Sequence, residues 1–161
     1  MLDKKDFLEE FKKEMVGTGK MLERVPFDKL DFKPHPKSMP LGILAEVLGS
    51  MPDWLTGIIK DDSMEISGYK PKNPKSLEEL MKMFNDGVKK AEEMIVNLDE
   101  KSLSVKWSLL MNAKPIMEMP RGEALRDTLN HIVHHRAQLG VYLRMNDIPH
   151  PSLYGPSADE R

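Results

Sequence analysis

The chain contains no cysteine. Disulfides, thiolate ligands and cysteine nucleophiles are therefore excluded, and any metal site has to be built from His, Asp and Glu. No sign of charge dominates either. The 24 Lys and Arg and 26 Asp and Glu are mixed along the sequence and leave a net charge of −2. No basic stripe is present, so nucleic acid is not an expected partner. No stretch approaches the ~20 apolar residues that span a bilayer, and a membrane partner is not expected. The opening MLDKKDFLEEFKKEM is charged and amphipathic, without the continuous apolar centre of a signal peptide. The expected location is the cytoplasm. Internal repeats and low-complexity tracts are absent too.

What is present is helical periodicity. The 161 residues fit a single domain, 1–161, long enough to bury a sizeable core without staples. Phe7, Leu8, Phe11, Met15, Thr18 and Leu22 predict a helix from about Lys4 to Val25. Gly17 and Gly19 weaken it, since glycine costs ~1 kcal/mol against alanine inside a helix. A connector follows from Pro26 to Pro36. A second helix is predicted from a Ser38 N-cap, with Pro40 in its first turn. Leu41, Leu44, Leu48, Met51, Leu55 and Ile58 give it an apolar stripe, and Pro52 should kink or split it. Asp61 to Pro74 reads as a loop. A third helix starts at Ser76, with Glu79 completing a capping box, and runs to Leu98. SVKWSLLMNAKPIMEMP alternates poorly and carries a turn-like Asn112-Ala113-Lys114, which reads as an extended excursion with a short hairpin. A fourth helix runs from about Arg121 to Asn146, and Pro149 marks its end. The tail PHPSLYGPSADER has no helical pattern. The fold class is all-α: a four-helix bundle with long crossover loops. The 13 methionines read as filler for irregular core gaps or an oligomer interface.

Within the fourth helix, LNHIVHHRAQLGVYLR holds three of the chain's five histidines. An α-helix turns ~100° per residue. Leu125, Leu129, Ile132, Leu139, Gly140 and Leu143 share one face. His131 and His135 lie together on its flank with Thr128, Gln138 and Tyr142, and His134 points away from the core. Two histidines four apart stack on one side, as metal ligation requires. The same pattern also describes half-buried histidines hydrogen-bonded at a seam between helices. Two imidazoles make an incomplete site, because zinc takes three or four protein ligands, or three plus water. Arg136 falls near the middle of the apolar face. There it either forms a buried pair with a carboxylate or carbonyls, or clamps an anionic substrate. We favour the first, because a side chain aimed at the core usually holds structure.

"HIVHHRAQLGVYLR" followed by "IPHPSLYGPSADE" resembles the closing helix and tail of DinB/YfiT-like proteins. "HPKSMPLGILAEVLGSMPDW" resembles that family's second helix, and "TGKMLERVP" the end of its first. The resemblance covers nearly the whole chain in order. It implies a four-helix bundle with long crossovers, often a dimer, and a divalent metal, zinc or nickel, held by three histidines. Two of them correspond to His131 and His135. The third belongs nine residues after the opening serine, in a Leu-Ala-x-His pattern that here reads Leu44-Ala45-Glu46-Val47. A valine thus stands at the third ligand position, so metal binding should be weak or absent. Val47 shares its flank with Ile43, Met51 and Trp54, an apolar wall. Glu46, ~100° further round, is expected to face solvent. His35 sits in the connector, more than ~10 Å away along the axis at 1.5 Å per residue.

Three functions compete. In a metal-dependent hydrolase or thiol transferase, as the resemblance implies, His131 and His135 would be ligands, with Val47, Trp54, Arg136, Gln138 and Tyr142 lining the cavity. A non-catalytic binding module would use His131, His135 and Tyr142 as polar contacts for a small apolar or anionic ligand. A structural homodimer would carry a Met- and Leu-rich interface that excludes His134.

Overall fold

The computed structural model describes residues 3–160. Four long helices dominate: α1 (Lys4–Leu22), α2 (Leu41–Lys60), α3 (Leu77–Val96) and α4 (Arg121–Met145). Three short strands join them: β1 (Ser63–Glu65), β2 (Lys106–Met111) and β3 (Lys114–Pro120), with a single 3-10 turn at Glu100–Ser104. One apolar core draws on every helix, through Phe7, Phe11, Leu44, Leu48, Leu80, Phe84, Leu129 and Ile132 among others.

The helix ends follow local chemistry. Asp3 caps α1 by accepting from the Asp6 amide at 3.0 Å, and Ser76 caps α3 by accepting from the Glu79 amide at 3.1 Å. Glu79 reaches back past the cap, so that the Lys75 amide donates to its carboxylate at 2.7 Å. The second helix corrects its expected start. Pro40, not Ser38, is the N-cap, with no side-chain cap bond. Connector backbone replaces it: the Leu41 and Gly42 amides donate to the Phe32 and Leu30 carbonyls at 2.9 and 2.8 Å. Nor does Pro52 split α2, which runs unbroken to Lys60.

The glycines of α1 mark close approach by its neighbours. A Cβ on Gly17 would lie 2.9 Å from Arg136 Nη1, and one on Gly19 would lie 3.3 Å from the Phe84 ring. The α1 positions that look weak by propensity are ones where side chains of α4 and α3 pack close against the backbone.

The all-α expectation needs correction by a small sheet of order β1-β2-β3. The hairpin is the expected one. Asn112 and Ala113 at its tip have φ of 51° and 58°, the left-handed pair that a two-residue hairpin turn demands. β1 lies inside the predicted Asp61–Pro74 loop and pairs parallel with β2. Its three residues turn only Met64 inward, too short a run for an alternation to register. Glu65 ties the two turns: the Ala113 and Ser67 amides both donate to its carboxylate at 2.8 Å. Those backbone donors hold its pKa down at about 2.

Candidate functional site at the histidine pair of α4

Two contacts set the antiparallel register of α2 against α4. The Tyr142 hydroxyl donates to the Met39 carbonyl at 2.9 Å, just before α2 begins. At the other end, Arg121 Nε donates to the Ile58 carbonyl at 2.9 Å. This register puts Val47, half-buried against the core, level with the turn of α4 that carries His131 and His135.

The pair is built as the helical projection expects. The two rings have centroids 4.4 Å apart and are tilted by 35°. His135 is buried while His131 and His134 are exposed. His135 Nδ1 donates to Gln138 Oε1 at 2.8 Å. The pKa of His131 is lowered, first by partial loss of water around the ring and then by the neighbouring His135 and His134. The site therefore presents two stacked imidazoles, with His131 biased to the neutral form.

The other sequence-selected residues divide. Gln138 joins the pair. Tyr142 lies buried two turns beyond His135, but its hydroxyl is engaged with Met39, and its ring meets Phe32 edge-on at 5.9 Å. Trp54 is half-buried and packs edge-on against Tyr69 at 6.3 Å. Arg136 stands apart, facing α1. Only 2% exposed, it donates through Nη2 to Glu14 Oε2 at 2.6 Å and through Nη1 to the Glu14 carbonyl at 3.0 Å. Nη2 also donates to the Tyr154 hydroxyl, which in turn donates to Glu14 Oε2 at 2.7 Å. The guanidinium lies over the Tyr154 ring, 5.2 Å from its centroid. All of this ties the C-terminal tail to α1 and α4, which is the structural role favoured for Arg136 on its sequence.

Glu46 overturns its expectation. Instead of facing solvent it is 1% exposed. The Tyr69 hydroxyl and the Lys72 amide donate to its Oε1 at 2.7 and 3.2 Å. The residue points away from the core stripe as projected, but the segment between β1 and α3 folds over it. No local sequence signal announces such a cover.

The donors available to a divalent metal follow from this geometry. His131 and His135 supply two nitrogens, and Val47 has no lone pair to offer. Glu46 is 1% exposed, its Oε1 accepting from Tyr69 and Lys72 of the segment before α3, and His35 is exposed in the connector, its Nδ1 accepting from the Lys37 amide at 3.1 Å. Among the described residues, no group of three or more His, Cys, Asp or Glu is placed to hold a metal ion. Two nitrogens are fewer than a catalytic zinc takes.

The model of the DinB family matches residues 1–160. The chain belongs to the DinB family. Among solved structures, a DinB-like protein from Bacillus cereus superposes with a TM-score of 0.72 at 22% identity, covering 92% of this chain and 95% of that one. A DinB-like protein from Bacillus subtilis gives 0.69 at 19% identity, covering 97% and 99%. At these identities the likeness carries the DinB fold. No curated protein matches. Among the described residues no helix is long and apolar enough to cross a membrane.

Proposed function

We propose that this DinB-family chain has a degenerate metal position, with Val47 standing where the third ligand belongs. On this reading it acts as a non-catalytic binding module for a small molecule and not as a metal-dependent hydrolase or thiol transferase. The supporting observation is the alignment of an apolar Val47 with a histidine pair whose one side-chain hydrogen bond goes to Gln138. Stacked imidazoles, with His131 biased to the neutral form, suit hydrogen bonding to a small ligand. Titration of zinc or nickel into Val47→His tests the reading. That variant should bind about one metal per chain, and at ~100 times Kd the metal should raise stability by ~2.7 kcal/mol. The unmodified chain should show neither effect. One tightly held metal in unmodified protein purified without a histidine tag would overturn the proposal.

A symmetric homodimer is proposed with it. Val16 of α1, Val141 and Met145 of α4, and Met111, Ile116 and Met117 of the hairpin are large apolar side chains left exposed. Two-fold closure is the commonest way to cover such surface. Light scattering at micromolar concentration should give twice the 18.4 kDa chain mass. The single-chain mass, unchanged on concentration, would remove the dimer.

A further inference from the structure

The cover over Glu46 buries the side chain but leaves one hydrogen bond unmade. Its Oε1 takes both available donors, while Oε2 is buried without a hydrogen-bond partner among the described residues. Buried acceptors in native proteins are nearly always satisfied, so one left open calls for a donor. Glu46 is also part of the wall of a cavity of about 470 Å³ between the connector before α2 and the segment before α3. Leu30, Pro40, Ile43 and Pro74 make much of that wall apolar, and Asp31, exposed, adds a second carboxylate. The nearby Lys72 ammonium is taken by Asp53 at 2.8 Å, so it is not the missing donor. Among the described residues, Lys75 is the one cation lining the cavity.

We propose that this cavity is a binding site for a small organic cation, a primary ammonium on a short apolar body, with Glu46 Oε2 as its acceptor. The ammonium supplies the charge-assisted hydrogen bond that Oε2 lacks. The apolar body fills the space against Leu30, Ile43 and Pro74, and Asp31 adds favourable charge. Selectivity follows from the buried carboxylate: a neutral or anionic ligand of the same shape leaves Oε2 without a charged partner. Neither Val47 nor His131 nor His135 lines this cavity, and the site needs none of them.

Benzylammonium is the probe, with benzyl alcohol as its neutral counterpart, titrated into the full chain. The readout is the NMR shift of the Lys72 amide, which is bonded to Glu46. Benzylammonium should give a saturable shift, and benzyl alcohol should bind at least tenfold more weakly. Glu46→Gln keeps an oxygen for Tyr69 and Lys72 but replaces the open acceptor with a donor. It should weaken benzylammonium at least tenfold, and Lys75→Met, which removes the internal competitor, should tighten it. No saturation, an equal response to the alcohol, or unchanged binding in Glu46→Gln would overturn the proposal. So would a crystal structure with Lys75 Nζ seated on Glu46 Oε2. If Glu46→Gln does not fold, the comparison of the two probes on unmodified protein decides alone. The metal titration of Val47→His reads the histidine pair, so either reading can fail without the other.

Discussion

On the flank of α4 that meets α1, Arg136 is 2% exposed and its side-chain hydrogen bonds go to Glu14, Thr18 and Tyr154. On the flank that carries His131 and His135, the polar groups touch mainly one another and Gln138. The first flank uses a charge to hold helices and tail together. The second leaves titratable nitrogen available at a surface. A buried charge is tolerated only where its partners are assembled, and once assembled they leave it little capacity to bind anything else. The proposed function is accordingly placed on the histidine flank, although Arg136 is the more conspicuous residue in the sequence.

Arg136→Met tests the comparison most severely. It strands the Glu14 carboxylate, which is 8% exposed, and should cost ~3–5 kcal/mol in urea unfolding. Adding Glu14→Met should recover much of that loss, because no orphaned charge then remains. A single-variant loss below ~1 kcal/mol would place Arg136 with the histidines as a dispensable group. Gly17→Ala should cost ~1–3 kcal/mol by driving a methyl against Arg136 Nη1, which lies 2.9 Å from where the Cβ would sit. On the opposite flank, His131→Gln should change stability by less than ~0.5 kcal/mol, as exposed substitutions do.

The smallest effect is in pH dependence. His131 in the folded chain has its pKa below the ordinary 6.5, mainly because its ring is partly removed from water. The unfolded chain therefore takes up that proton more readily. The stability His131 contributes is present above pH ~6.5 and is lost as pH falls from there through the folded value. NMR titration should show His131 ionising below 6.5, and the small loss should vanish in His131→Gln. A His131 pKa above 6.5 would mean that a carboxylate, not the other imidazoles, faces it.

Four helices, the Ser76 cap, the hairpin turn at Asn112-Ala113 and the burial of Arg136 were all legible, because each depends on neighbours within a few residues or on the 3.6-residue period. The histidine pair was legible for the same reason: residues four apart on a helix stack whatever surrounds them. Glu46, β1 and the true cap of α2 were not. Helical projection places Glu46 on the outward side of α2, and that direction is right. Its burial comes from Tyr69 and Lys72, in a segment joined to it by 23 and 26 residues of chain.

The sequence by itself determined where the helices run, which residues share a face, and that a valine occupies the position where the family pattern has a histidine. Only the tertiary structure decided that Arg136 answers Glu14, that α2 begins against connector carbonyls, and that a loop closes over Glu46 and leaves one of its oxygens without a donor among the described residues. The reason is physical. Periodicity reports a side chain's direction about its own helix axis. Burial and hydrogen-bond partners are settled by whichever distant segment packs there, and long crossovers make that choice nonlocal.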